Sequence, residues 1–245
     1  MFHFYYWNSI PFMSSWGMPR KSRNTPRREE SLSRDRIIEA SIELLDGEGE
    51  SGLTFRALSE RLATGPGAIY WHIDDKSDLL NAACEAIVVR TLAACSGGRT
   101  PEVAIRSLAL GLFDAMDAHP WVGSALMHSA GQQPIVRIVE SIGQQVRALG
   151  VPAGKQWAVV SALFHYILGV SGQNASNTQY ARERGLDRSD FLDAMSAVWS
   201  QLDADEFPFA RSMSGQLRAH DDRKDYLAGI DLILAGIVSS RHRGQ

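Results

Sequence analysis

Cysteine is almost missing from this 245-residue chain: Cys84 and Cys95 are the only two, eleven positions apart. That excludes a disulfide framework and offers no cysteine spacing for a zinc site, so both thiols are expected to be reduced. Proline is scarce as well, at 9 against 21 glycines. No apolar run approaches the roughly 18 to 20 residues that a bilayer crossing needs. No Lys or Arg stands ahead of an apolar core at the N-terminus, as a secretory leader requires. A cytoplasmic protein with no membrane partner is therefore expected. Excess positive charge is lacking too: 25 Lys and Arg against 28 Asp and Glu leave −3, which argues against a general nucleic-acid coat protein. Alternation with period two is absent over any useful length, as are the HExxH, GxSxG, Walker and glycine-rich dinucleotide patterns that mark enzymes. His119, His128 and His165 do not replace them, so neither a cofactor nor an enzymatic activity is expected.

The residues present are 44% apolar and 22% charged, an ordinary globular profile. The length suits one large domain or two smaller ones. Charge is unevenly spread: over 18–36, Arg20, Lys21, Arg23, Arg27, Arg28, Arg34 and Arg36 outnumber Glu29, Glu30 and Asp35, for a local +4. Such an arm on an acidic chain fits a directed contact with a polyanion, with a solvated tail as the plainer alternative. Residues 1–17 hold no Lys, Arg, Asp or Glu, yet they hold the aromatics Phe2, Phe4, Tyr5, Tyr6, Trp7, Phe12 and Trp16. A stretch this apolar makes a poor exposed tail. It is expected to be an upstream extension not made in the cell, with Met18 or Met13 as the natural start; the alternative is a membrane-surface or partner-binding peptide.

Helical periodicity begins after the arm. Ile38, Ile42 and Leu45 recur at i, i+4, i+7 and predict a helix over 34–46, with Ser33 as N-cap, Asp35 in its first turn and Gly47 and Gly49 at its end. Thr54 can cap a second helix, and Leu53 with Leu58 has the spacing of a hydrophobic staple. Ala63-Thr64-Gly65 breaks that helix, and Pro66 restarts a short one over 66–72, because proline is tolerated at a first helical position. Asp74 or Asp75 caps a fourth over 76–94. Two helices joined by a three-residue turn, the second short and projecting, make a helix-turn-helix. Further helices are expected over 101–118, 133–149, 153–177, 189–202 and 223–241, with breakers between them. The fold class is all-α: a small N-terminal three-helix helix-turn-helix domain and a larger C-terminal bundle.

The stretch LTFRALSERLATGPGAIYWHIDDKSDLL resembles the TetR family of one-component bacterial repressors. The likeness runs from Ser33 through Leu80 and includes the pair Tyr70 and His72 and the lysine, Lys76, that opens the fourth helix. Trp71 between Tyr70 and His72, with Arg56 in the second helix, brings it nearest to the tetracycline-repressor branch. VVSALFHYILGVSGQNASNTQYARER and YLAGIDLILAGI are similar to that branch's long eighth helix and its last helix. The resemblance implies DNA binding by 33–80, effector binding and dimerisation by 81–245, and an extension with a basic arm over 1–32.

The DNA-binding set follows from that frame. Gly65, Pro66, Gly67 and Ala68 keep the first turn of the short helix bare, so its backbone can approach the floor of the major groove. Ala68 can offer a methyl to thymine, Trp71 an apolar face and Thr64 a hydroxyl. Arg56 can bond both O6 and N7 of guanine, the alternative being an arginine on a solvated helix face. Tyr70, His72 and Lys76 are assigned to phosphates by the resemblance, and their donors have suitable reach.

In the second half, Trp121, Met127, His128, Trp157, Phe164, His165 and Gln173 lie on helices that the resemblance places around an effector cavity, though each taken singly also suits plain core. Gln173 stands where the tetracycline branch has an acidic residue, and an amide is a poor substitute for a carboxylate around magnesium, which argues against a tetracycline effector. Small residues recur as Gly169, Gly172 and Ser176, and as Gly229, Gly236 and Ser240. The resemblance implies that 153–177 and 223–241 pair with their copies in a homodimer; packing within one subunit is the alternative. The expected function is a repressor that leaves a palindromic operator when a small-molecule effector binds, the alternative being an activator or a regulator controlled by a protein partner.

Overall fold

The computed structural model describes residues 32–242 apart from 96, 98–99 and 129–130. The apolar extension and the basic residues expected within 1–31 lie outside the described residues, as do the side chains of 240–242. Among the described residues the chain is helical, with no strand.

Helix α1 (Arg34–Gly52) starts at Ser33, whose hydroxyl accepts from the Arg36 N–H, and turns Ile37, Ile38, Leu44 and Leu45 inward. It extends past the expected stop near residue 46, because Gly47 stays helical and the interruption falls at Gly49. There φ is 67° and ψ is −169°, a region essentially confined to glycine.

Thr54 caps α2 (Phe55–Arg61) by accepting from the Ala57 N–H, and Leu53 and Leu58 are both fully buried, as the staple spacing predicts. The turn that follows closes with two backbone bonds, Thr64 N–H to the Ser59 carbonyl at 3.0 Å and Ala63 N–H to the Glu60 carbonyl at 3.3 Å. This is a Schellman motif, and Ala63 occupies its left-handed position at φ 50°. Helix α3 (Pro66–Tyr70) begins on Pro66 as expected but ends before His72, which lies beyond the Trp71 C-cap. Asp75, rather than Asp74, caps α4 (Lys76–Ala94) by accepting from the Asp78 N–H at 2.9 Å.

Seven further helices complete the fold: α5 (Pro101–Ala118), α6 (Trp121–His128), α7 (Gln133–Ala148), α8 (Ala153–Glu183), α9 (Arg188–Ser200), α10 (Pro208–Arg218) and α11 (Asp222–His242). Two of them, α6 and α10, were not expected. The first is only 8 residues long, too short to show a period. The second buries none of its side chains fully and is held by α9, although Phe209, Met213 and Leu217 give it an apolar stripe at i, i+4 and i+8. Helix α8 also passes the expected end at 177 and stops where Gly185 takes φ 64°.

Helix α4 packs against α1, α5, α6 and α7, and buries Leu79, Ala83, Cys84, Ile87 and Val88. Helix α8 contacts α5, α6, α7 and α11. The approach of α11 to α8 depends on Gly229: a Cβ there would stand 1.9 Å from the Tyr166 hydroxyl oxygen. Residues from Ile37 to Ile237 share one apolar core, and a smaller cluster around Phe191 and Leu192 seats α9.

Two substitutions should move stability in opposite directions. Gly49→Ala places a Cβ in a glycine-only conformation and should cost about 1 to 3 kcal/mol. Ala63→Gly removes left-handed strain of about 1 to 2 kcal/mol against a smaller loss of chain entropy, so it should stabilise by about 0.5 kcal/mol. Urea unfolding checks both. Burial first, and the Glu85 charge second, push the Cys84 thiol up to about 12. Native protein at neutral pH should therefore resist alkylation at Cys84, and denatured protein should label there, as peptide mass mapping would show.

Candidate nucleic-acid interface and effector region

The helix-turn-helix is built from caps and buried anchors. Leu58 on α2, Ile69 on α3 and Ile73 beyond it are fully buried against α1 and α4, which leaves the remaining face of α3 to solvent. Gly65, Pro66 and Gly67 are exposed, and Gly65 caps α3 with no side-chain bond. Trp71 is 89% exposed, an unusual position for so large an apolar side chain. Tyr70 is half exposed and stacks on Phe55 of α2, with ring centroids 4.3 Å apart. His72 is exposed, and Thr64 and Ala68 are half-buried at the α3 entrance.

Arg56 projects from α2 with its side chain 90% exposed and donates from Nε to Glu60 Oε1 at 3.0 Å, one helical turn on. A pair this exposed holds the guanidinium weakly, so it remains free to exchange its partner for a base edge. Lys76 opens α4 and donates from Nζ to the Glu50 carbonyl. That bond ties the start of α4 to the last turn of α1, beyond the Gly49 break. Of the ten residues expected at DNA, the structure thus gathers Arg56, Gly65, Pro66, Gly67, Tyr70, Trp71, His72 and Lys76 on exposed positions of α2, α3 and the start of α4, with Thr64 and Ala68 beside them.

The link between these helices and the bundle is polar as well as apolar. Asp46 on α1 lies 2.7 Å through Oδ1 from both the Trp121 Nε1 donor and His119 Nδ1. Arg90 on α4 pairs with Glu39, and Arg61 on α2 pairs with Glu43 at 2.8 Å.

The seven residues expected around an effector cavity do not come together. Trp121 is buried and spends its indole N–H on Asp46. Met127 and Trp157 are 63% and 72% exposed. His128 Nδ1 bonds the Ser124 carbonyl and His165 Nδ1 the Ser161 carbonyl, each on its own helix. Phe164 is half-buried and packs its edge on His165. Gln173 alone lines the cavity of about 480 Å³ between α5, α8 and α11. Sequence reasoning passed over the rest of that wall, including Tyr166, Asn174, His220, Asp222 and Asp225. The run His220 to Asp225 was a visible signal, with His220, Asp221, Asp222 and Asp225 within six positions. No group of three His, Cys, Asp or Glu among the described residues could hold a metal ion, and no described helix is long and apolar enough to cross a membrane.

Comparison with known proteins agrees with this geometry. The family model for bacterial regulatory proteins of the tetR family matches residues 37–83, which contain the helix-turn-helix. A solved TetR transcriptional regulator from Streptomyces coelicolor is 50% identical, with a TM-score of 0.76 over 85% of this chain and 98% of that one. An HTH-type transcriptional regulator from Saccharopolyspora erythraea is 26% identical over 92% of this chain and 91% of its own. The class C tetracycline repressor from Escherichia coli is 30% identical over 64% of this chain and 73% of its own. The chain belongs to the TetR family, whose members are DNA-binding transcriptional regulators and not enzymes.

Proposed function

We propose that the protein is a cytoplasmic repressor that binds an inverted-repeat operator as a homodimer and leaves it when a small-molecule effector binds. The observation that carries the DNA reading is the exposed set on α2 and α3: Arg56 and Trp71 stand out beside a first turn of α3 with almost no side chains. A guanidinium reads guanine, a bare turn allows close approach, and an indole supplies apolar contact with thymine methyls. In this reading 33–80 is the DNA-binding domain, 81–245 binds effector and pairs with its copy, and 1–32 carries the basic arm.

Helices α8 and α11 supply the dimer surface. Trp157 on α8 and Leu232 on α11 are 72% and 76% exposed. On the same two helices an apolar groove is lined by Ala158, Val159, Ala162, Ile233, Gly236 and Ile237. Large exposed apolar side chains on helices that share such a groove suit a helix-on-helix contact. Effector control follows from linkage: a ligand lowers operator affinity only by binding the DNA-incompetent conformer more tightly.

Three variants test this reading in electrophoretic mobility shifts and sedimentation. Arg56→Ala should weaken operator binding by about 1 to 3 kcal/mol and relax one base position in each half-site, with unfolding free energy unchanged within about 0.5 kcal/mol. Retention of full base preference would remove Arg56 from the reading set. Lys76→Ala should weaken all sequences alike and flatten the salt dependence by about one unit of slope. Leu232→Asp should yield monomers with reduced operator affinity, and an unchanged dimer would place the interface elsewhere.

A further inference from the structure

The cavity between α5, α8 and α11 has a composition unlike the apolar core around it. Its volume of about 480 Å³ lies in the range of small-molecule sites. The floor is aromatic: Phe113 and Tyr226 sit with ring centroids 4.9 Å apart, and Tyr166 stacks on Tyr226 at 5.7 Å. One face of α8 brings Gly169, Gln173 and Asn177 to the wall, spaced by four positions. Gln173 donates to Asn177 Oδ1 at 3.0 Å and Asn174 donates to Asp117 Oδ1 at 3.2 Å, so both amides keep their own carbonyl oxygens as acceptors.

Charge on the opposite wall is acidic. Arg188 forms a two-pronged pair with Asp222, with Nε donating to Oδ2 at 2.7 Å. His220 lies between Asp222 at 3.1 Å and Asp225 at 2.6 Å, the latter through Oδ2. Asp225 Oδ1 is outside that contact, and among the described residues Asp225 has no arginine or lysine partner. The cations nearest the wall are already committed, Arg188 to Asp222 and Arg223 to Asp114. An anion would therefore meet a carboxylate with no cation to spare. A metal ion is not served either, because these groups do not form a metal-holding set. Burial, and then the Asp225 charge, push the Tyr166 phenol up, so the hydroxyl stays neutral and donates to the Tyr226 carbonyl at 3.1 Å.

We propose that this cavity binds a flat aromatic monocation, with its ring body over the half-buried Tyr166, which the buried Tyr226 and Phe113 back, and its charged nitrogen at Asp225. Rings attract cations and stack on flat bodies, and Asp225 and the α8 amide oxygens accept from an amino group. The site deepens the effector reading and rests on it for any consequence at the operator.

Fluorescence anisotropy with 9-aminoacridine as the probe, on the full chain without DNA, tests the site. Neutral acridone and anionic acridine-9-carboxylate serve as matched controls. Saturation at one probe per chain is expected, with acridone weaker by about tenfold and the carboxylate weaker still. Asp225→Asn should bring 9-aminoacridine down to the acridone level and leave acridone unchanged. Gly169→Leu, which places a side chain in open space on the cavity wall, should abolish binding of both; circular dichroism and sedimentation confirm that each variant is folded and keeps the oligomeric state of the unsubstituted chain. Equal affinity for cation and neutral ring, a cation preference that survives Asp225→Asn, or no saturation below about 1 mM would overturn the proposal. An operator shift with unliganded protein is run beside it. Loss of that shift would refute the regulator reading alone, and a normal shift with no probe binding would refute this site alone.

Discussion

Helix α4 is buried against four neighbours at once, and it joins the helix-turn-helix to the bundle. Leu79, Cys84, Ile87 and Val88 face α1 on one side and α5, α6 and α7 on the others. A helix that is apolar around most of its circumference can stay folded only as an internal element. The helix that begins at Lys76 beside the DNA-facing turn is therefore also a wall of the bundle. The Asp46 contacts with His119 and Trp121 reinforce the arrangement from α1. Displacement of α4 would require these contacts to re-form or break, which is how a change in the bundle can reach the DNA-binding face. Closely packed interiors respond by discrete shifts of whole elements and not by gradual deformation.

The DNA-facing surface itself makes little use of hydrogen-bonding side chains. Its central turn is glycine, proline, glycine and alanine, and its largest exposed group is the Trp71 indole. In the proposed reading, sequence discrimination falls on Arg56 and on apolar contact, while Tyr70, His72 and Lys76 are suited to positioning on phosphates. The turn that presents α3 is held by backbone bonds alone, with Ala63 in a conformation alanine tolerates only when its surroundings demand it.

The helix-turn-helix was legible from sequence because its signals are local. Ser33, Thr54 and Pro66 each fix an end by a bond or a ring geometry that involves residues within four positions. The misplaced end of α1 had a local cause as well: Gly47 and Gly49 look alike in a string, and only φ distinguishes the one that breaks the helix. Helix α6 is too short to write a period, whereas α10 does carry one, with Phe209, Met213 and Leu217 at i, i+4 and i+8. The cavity was hidden for a different reason. Phe113, Tyr166 and Asp225 come from helices far apart in sequence and meet only through packing. The resemblance places the helices of Trp121, Trp157 and Phe164 around a cavity but not the direction of each side chain, and packing sends these three to a polar clamp, to solvent and to a half-buried position.

In the proposed dimer, two copies of the helix-turn-helix, held at a spacing set by the bundle, recognise a symmetric DNA site. Selection of random duplex DNA by the purified full chain, followed by sequencing of the bound fraction, tests it most directly. Enrichment of an inverted repeat with guanine in each arm, and half-site centres about 34 to 36 Å apart or near a multiple of that, is the predicted result. Enrichment of a single asymmetric site, or no enrichment above unselected DNA, would contradict the account.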